Sequence, residues 1–103
     1  MINLIIYLKK ENDPVSLVEK LLSSQLIASA SIDQNNESFT LNDGILHRKI
    51  YNVITAQTKS LLFSAIAKEV EDLFGSDVPM NATPIVAANT VFDELVRSKT
   101  LKT

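Results

Sequence analysis

The sequence has 103 residues, 46% of them hydrophobic and 21% charged, which is the composition of one globular domain with a single core. It contains no cysteine, so disulfides, thiolate metal sites and cysteine nucleophiles are excluded, and a cytoplasmic protein is expected. The formal net charge of −2 provides no basic field for binding nucleic acid.

The chain starts with an Ile-rich apolar run over residues 2–8, which predicts a strand buried on both faces. The run is too short to cross a membrane and its positive charges follow it, so neither a membrane anchor nor a secretory signal is expected. Asp13 and Pro14 then have the N-cap and first-turn preferences of a helix, which we expect to extend from Pro14 to Gln25. The apolar face of this helix is predicted to comprise Val15, Val18, Leu21 and Leu22.

The middle of the chain predicts a long, twisted β-hairpin. Two stretches, Ile27–Leu41 and Ile45–Thr58, flank the dipeptide Asp43-Gly44. Asp-Gly is a strong hairpin signal because both residues tolerate the positive φ angles of the tightest two-residue turn. In the second strand, even-numbered residues from 50 to 56 are expected on one face and odd-numbered residues from 51 to 57 on the other.

A second helix is predicted over Ser60–Phe74, with Thr58 or Ser60 as its N-cap and Gly75 as its end. Its apolar stripe is expected to comprise Leu62, Ile66, Val70 and Leu73.

The last part of the chain predicts a fourth strand over residues 83–88, with Pro84 at its start or at a sheet edge. A short final helix follows Asn89 or Thr90, and the polar tail from Lys99 is expected to fray. The predicted apolar face of the final helix is Val91, Phe92, Leu95 and Val96.

This β-α-β-β-α-β order predicts an α+β fold, a ferredoxin-like sandwich with a long central hairpin and a short C-terminal helix. We expect a single domain over residues 1–98 and a polar tail over residues 99–103. Both helices of such a fold lie on one face of an antiparallel sheet, so the other face has no cover within the chain. An uncovered apolar face or an exposed strand edge favours self-association, and the long hairpin is the expected arm for it.

Residues that could carry chemistry are sparse. Gly44 and Gly75 are the only glycines and lie far apart, which argues against a glycine-rich phosphate loop. His47 is the only histidine, and beside Arg48 and Lys49 a solvated residue is favoured over a general base or a metal ligand. No serine has a histidine at evident reach, so a serine enzyme is not expected.

Two further functions are disfavoured by the same residues. An acylphosphatase on this fold would need an arginine and an anion-binding loop after the first strand, where residues 8–12 contain lysines but no arginine or glycine. An RNA-recognition module would stack bases on aromatic residues such as Tyr7 and Tyr51, but the basic-aromatic signature strand is absent. Asp33, Glu37 and Asp43 could hold a hard cation across the hairpin, although a solvated rim is favoured.

Five segments carry a family resemblance: residues 18–32, 43–44, 53–58, 73–79 and 89–95. Taken in order, they resemble the CutA family, the divalent-cation tolerance proteins. The resemblance implies a non-enzymatic cytoplasmic protein that forms a homotrimer through its hairpin and sheet edges and is linked to tolerance of copper and other divalent cations. It implies trimer contacts at Phe39, Leu41, Tyr51 and Val53. PII signalling proteins share the architecture, so a PII-like sensor of a nucleotide or other small molecule at a subunit cleft is the alternative.

Six positions depart from the pattern of that family. Ser29 stands where the family commonly has cysteine, Phe74 where it has histidine and Met80 where it has glutamate. Copper prefers thiolate or imidazole ligands, and the family's cysteine and histidine are both replaced, so the substituted positions do not form a metal site as they stand. The other departures are Asn42 for tryptophan, Gln57 for lysine and Ser76 for tyrosine.

No cofactor is predicted with certainty, and a divalent cation would bind weakly at best. The candidate ligands for such a cation are His47, Asp33 and, through its thioether, Met80.

Overall fold

A computed structural model describes residues 1–102 and contains one four-stranded antiparallel sheet with three α-helices, which confirms the predicted α+β, ferredoxin-like fold. The order of strands in the sheet is β2 (Ser29–Asn42), β3 (Ile45–Thr58), β1 (Ile2–Lys9) and β4 (Met80–Pro84), so β1 lies between β3 and β4. Within residues 1–102, none of the helices is long and apolar enough to cross a membrane. The elements are β1 (Ile2–Lys9), α1 (Pro14–Ser23), β2 (Ser29–Asn42), β3 (Ile45–Thr58), a 3-10 turn (Ser60–Leu62), α2 (Phe63–Phe74), β4 (Met80–Pro84) and α3 (Thr90–Lys99).

Strand β1 is buried on one face only, and the expectation of burial on both faces is wrong for this chain. Its even-numbered residues, from Ile2 to Leu8, are buried in the core. Asn3, Ile5 and Tyr7 point to the opposite face and are half-buried, because no helix covers that face.

Helix α1 begins as predicted, because the Asp13 side chain accepts a hydrogen bond of 3.0 Å from the Val15 amide. Its buried face differs from the prediction: Leu17 and Leu21 are buried, whereas Val15 is 53% and Leu22 40% exposed. Two overlapping sets of apolar residues could form the buried face of this helix. The set that packs against the sheet is the one that contains Pro14, Leu17 and Leu21.

The hairpin forms with the predicted turn. Asp43 and Gly44 have φ angles of 51° and 75°, as a type I′ turn requires, and Asn42 pairs with Ile45. A β-bulge interrupts β2 between Asp33 and Asn36, where Asn35 has a φ of 59°. Because the bulge adds one residue to β2, even-numbered residues such as Ile32 point to the helix side of the sheet before it, and odd-numbered residues such as Phe39 do so after it.

The 3-10 turn that precedes helix α2 buries Leu62, and the helix itself buries Ile66 and Val70, but Leu73 is 46% exposed. Neither predicted N-cap forms: the Thr58 hydroxyl instead donates a buried hydrogen bond to the Leu26 carbonyl. Gly75 ends the helix with a φ of 91°, as predicted.

Strand β4 covers Met80–Pro84 rather than residues 83–88, so the predicted fourth strand is shifted. Pro84 pairs with Ile2, the first residue of β1, and the Ile85 amide donates to the Met1 carbonyl. Beyond that point the chain leaves the sheet, and Val86 is 95% exposed.

The C-terminal segment is held in place up to residue 101, so the expected fraying is wrong there. Asn89 caps α3 by accepting a bond from the Phe92 amide, and the buried face centres on Val96, whereas Val91 is 77% exposed. The buried Thr100 hydroxyl donates to the Val96 carbonyl, and the Leu101 amide donates to the Gln25 carbonyl. Thr103, the end of the predicted tail, lies outside the described residues.

The reassigned face of α1 gives a matched pair of variants. Leu17→Ala should lower the free energy of unfolding by about 2–4 kcal/mol, because it removes buried methyl groups and leaves a cavity. Leu22→Ala makes the same chemical change at a 40% exposed position and should cost under about 1 kcal/mol. Urea titrations at one protein concentration measure both values. Equal losses would show that the assigned helix face is wrong.

Candidate functional site

The sheet face opposite the helices, here called the open face, has no covering layer among residues 1–102. Every residue on it is half-buried or exposed, and it combines apolar, aromatic and small polar side chains. Its residues are Asn3, Ile5 and Tyr7 of β1, Ser29, Ser31 and Asp33 of β2, Tyr51, Val53, Thr55 and Gln57 of β3, and Asn81 and Thr83 of β4.

One end of the open face carries a polar chain across three strands. The Ser29 hydroxyl donates to Gln57 Oε1 at 2.6 Å, and Gln57 Nε2 donates to Asn3 Oδ1 at 2.9 Å. The three residues are direct register partners, since Ser29 pairs with Gln57 and Gln57 with Asn3. Two of the six positions that depart from the CutA pattern therefore meet, and they form a neutral hydrogen-bonded group of donors and acceptors.

The other end of the open face is aromatic. The rings of Tyr7 and Tyr51 pack edge to face, with their centroids 5.7 Å apart and their planes at 78°. Val53 is the register partner of Tyr7, so this end presents an apolar patch beside the polar chain. The tyrosine rings contact each other and do not form the parallel stacking platform of an RNA-binding sheet.

A second apolar surface, here called the arm patch, lies on the protruding hairpin. It comprises Phe39, Leu41 and Leu46, which are 53%, 69% and 66% exposed. Leu41 pairs with Leu46 and Phe39 with Arg48, so all three point to the helix side of the sheet, beyond the helices themselves. The bulge produces this arrangement, because without it Phe39 and Leu41 would point to the opposite side.

The four predicted trimer contacts therefore divide between two surfaces. Phe39 and Leu41 belong to the arm patch, whereas Tyr51 and Val53 lie on the open face. Leu46 was not predicted as a contact residue, although pairing across the Asp43-Gly44 turn identifies it as the neighbour of Leu41. Asn3, the third member of the polar chain, was not predicted either.

Phe74 and Met80 contribute to the packing of the core and do not lie on the open face. Both pack against the hydrophobic core from its margin. Met80 and Ser76 also line a shallow cavity of about 210 Å³ beside Phe63 and Gly75. None of these side chains joins the Ser29 group within one chain, because Met80 points to the helix side of the sheet and Ser29 to the open face. The sixth departure, Asn42, lies at the tip of the hairpin.

The weak metal candidates do not come together. His47 pairs with Thr40 near the hairpin tip, and Asp33 pairs with Val53, six positions along the same strand and therefore roughly 20 Å away. Glu37, another of the carboxylates considered as cation ligands, forms an ion pair of 2.6 Å with Arg48. Among residues 1–102 there is no group of three or more histidine, aspartate or glutamate side chains placed to hold a metal ion.

One ion pair joins β1 to the loop before β4. Lys9 Nζ lies 2.8 Å from Asp77 Oδ2, and both side chains are about half-exposed. The hydrogen bond from Lys9, assisted by its charge, lowers the pKa of Asp77 below its ordinary value of 3.8. The same bond and the charge of Asp77 raise the pKa of Lys9 above 10.5. This exposed pair links β1 to the loop that leads from α2 to the edge strand β4.

Comparisons with known proteins identify the fold. No protein-family model matches the sequence, and no curated protein does. Solved structures do match, over almost the whole chain. CutA1 from Oryza sativa has a TM-score of 0.89 at 19% identity, covering 99% of this chain and 94% of that one. The divalent cation tolerance protein from Thermus thermophilus has a TM-score of 0.84 at 18% identity, covering 97% of this chain and 99% of that one.

A third match is the periplasmic divalent cation tolerance protein CutA from Archaeoglobus fulgidus, with a TM-score of 0.83 at 21% identity and coverage of 96% of this chain and 98% of that one. The chain is thus a ferredoxin-like α+β protein with an uncovered sheet face and a long hairpin arm. More specifically, it has the fold of the CutA1 proteins, which confirms the resemblance predicted from the sequence.

The Lys9–Asp77 pair predicts an acid-dependent loss of stability. Because the pKa of Asp77 is lowered in the folded state, its contribution is present above pH 3.8 and is lost as the pH falls through the lower folded value. Asp77→Asn should therefore flatten the fall of the melting temperature below about pH 5. In a Lys9→Met background the same substitution should have no effect on the profile. An unchanged profile in the single variant would contradict the pairing.

Proposed function

We propose that the protein is a divalent-cation tolerance protein of the CutA class, acting in the cytoplasm as a homotrimeric binding or regulatory module rather than as an enzyme. The observation that carries the proposal is the match to CutA1 structures at TM-scores of 0.83 to 0.89 over nearly the full length of both chains. The order of the matching sequence segments, from α1 to α3, supports it independently.

The trimer is supported by the presence of two different apolar surfaces. A two-fold dimer uses the same patch on both subunits, whereas a ring uses two different patches that fit each other. The arm patch is aliphatic and protruding, and the open face is broad and carries the Tyr7–Tyr51 pair. A hairpin that reaches over the open face of the next subunit would cover both surfaces at once.

The metal chemistry of this protein is proposed to differ from that expected of a soft-metal site. Ser29 and Gln57 satisfy each other through a neutral hydrogen bond, and Phe74 and Met80 pack against the core. Hydroxyl and amide groups are poor ligands for copper, which prefers thiolate and imidazole. We therefore propose that the response to divalent cations does not proceed through tight copper binding at these positions.

A PII-like sensor of a small molecule is the second candidate. The observation that favours it is the polar chain Ser29–Gln57–Asn3, whose amide and hydroxyl groups can recognise neutral polar groups of a ligand at a subunit cleft. A melting screen against nucleotides and related metabolites tests this function. A rise in melting temperature that Gln57→Leu removes would support it, and a flat screen would exclude it.

Light scattering coupled to size-exclusion chromatography tests the trimer. The expected mass is three times the chain mass of 11.4 kDa, or about 34 kDa. Leu46→Asp places a charge on the arm patch and should shift the protein to the monomer mass, because an unpaired charge is costly to bury. Leu73→Asp makes the same change on the outer side of α2 and should leave the trimer intact. A monomeric wild type would refute the proposed assembly.

A copper titration tests the metal proposal. Calorimetry with Cu(II) should give weak binding without saturation, because the candidate ligands lie apart. His47→Ala should remove most of the remaining heat, since it deletes the only imidazole. Saturation at one copper per chain, unaffected by His47→Ala, would show that another set of residues forms a tight site.

A further inference from the structure

A basic cavity of about 560 Å³ lies between the end of β3, the 3-10 turn and α3. Three cationic side chains, Lys59, Arg97 and Lys102, line it with one carboxylate, that of Asp93. The lining thus carries an excess of two positive charges, although the whole chain has a formal net charge of −2. Such a local concentration of positive charge attracts anions.

Two of the cations are already oriented. Lys59 Nζ donates to the Leu101 carbonyl at 2.8 Å, and Arg97 Nε donates to Asp93 Oδ2 at 2.7 Å. A lysine has three N–H donors and an arginine five, and the other donors of both have no partner among residues 1–102. The oriented side chains would lose less conformational entropy when they bind an anion than free side chains would.

The C-terminal segment forms one wall of the cavity and is itself fixed. The Thr100 hydroxyl donates to the Val96 carbonyl at 2.7 Å, and the Leu101 amide donates to the Gln25 carbonyl at 2.9 Å. These bonds place the Leu101 carbonyl where it orients Lys59. The cavity therefore results from the ordered segment that the sequence alone predicted to fray.

The cavity also has an apolar side. Val96 is buried beneath it, and Leu61, which is 74% exposed, lies at its margin with Met1. Its volume lies within the range of about 300–1,000 Å³ typical of small-molecule sites and exceeds that of a single inorganic anion. A ligand that fills it would carry an anionic head and an apolar body.

We propose that this cavity binds a phosphate monoester with an apolar substituent. The free donors of Arg97 and Lys59 would contact the phosphate oxygens, because guanidinium and ammonium groups together are well suited to a compact dianion. The substituent would lie against Leu61 and Met1, above the buried Val96. The cavity shares no residue with the open face or the arm patch, so this proposal does not rest on the proposed trimer or its metal function.

Titration of the isotopically labelled full-length protein with phenyl phosphate, followed by amide NMR shifts at constant ionic strength, tests the proposal. Saturable shifts should appear around residues 59–61, 93–97 and 101–102. Inorganic phosphate should cause shifts at the same residues with several-fold weaker affinity, because it lacks the apolar body. Lys59→Gln and Arg97→Gln should each weaken phenyl phosphate binding about tenfold, since each removes charge-assisted hydrogen bonds.

Two further variants serve as a matched control and as a test of the charge of the lining. Lys68→Gln makes the same charge change on α2, outside the cavity, and should leave the affinity unchanged. Asp93→Asn keeps an acceptor for Arg97 but removes the one negative charge of the lining, so it should tighten binding. Shifts that do not saturate in the wild type, an equal loss in Lys68→Gln, or weaker binding by Asp93→Asn would overturn the proposal.

Discussion

The constraint on which the rest of this structure depends is a four-stranded sheet with helices on one face only. Strand β1 shows it most plainly, because Ile2 to Leu8 are buried on alternate positions while Ile5 and Tyr7 between them remain half-exposed. Each Å² of apolar surface left in water forgoes about 25 cal/mol of stabilisation. A chain of this size has a thin core, so burial of the open face against another subunit would add substantially to its stability.

The bulge at Asn35 would determine the geometry of the proposed association. By adding one residue to β2, it turns Phe39 and Leu41 to the side of the hairpin where Leu46 lies, so the arm patch and the open face point in opposite directions. The proposed ring of subunits requires two unlike surfaces that fit each other, and the arm patch and the open face are two such unlike surfaces. The polar chain from Ser29 to Asn3 then lies at the end of a surface that a neighbour would cover, where a small ligand could be enclosed.

Local signals in the sequence predicted much of this fold, because they depend on neighbouring residues. The Asp43-Gly44 turn, the Asp13 cap and the Gly75 helix end are examples. The predictions that failed depend on distant contacts. Packing against the sheet determines which apolar residues of α1 are buried, and pairing with β1 places β4 at Met80–Pro84. The contact between Ser29 and Gln57 follows from hairpin register, and the basic cavity from Leu101 meeting Lys59 and Gln25. No local pattern marks either.

Double electron–electron resonance on a single spin label tests the central claim, that the open face is covered by a ring of subunits. The chain has no cysteine, so Glu19→Cys on the exposed side of α1 gives one label per chain. A symmetric trimer predicts one inter-label distance and the modulation depth of three coupled spins. The absence of dipolar modulation, or a modulation depth that corresponds to only two coupled spins, would contradict the account.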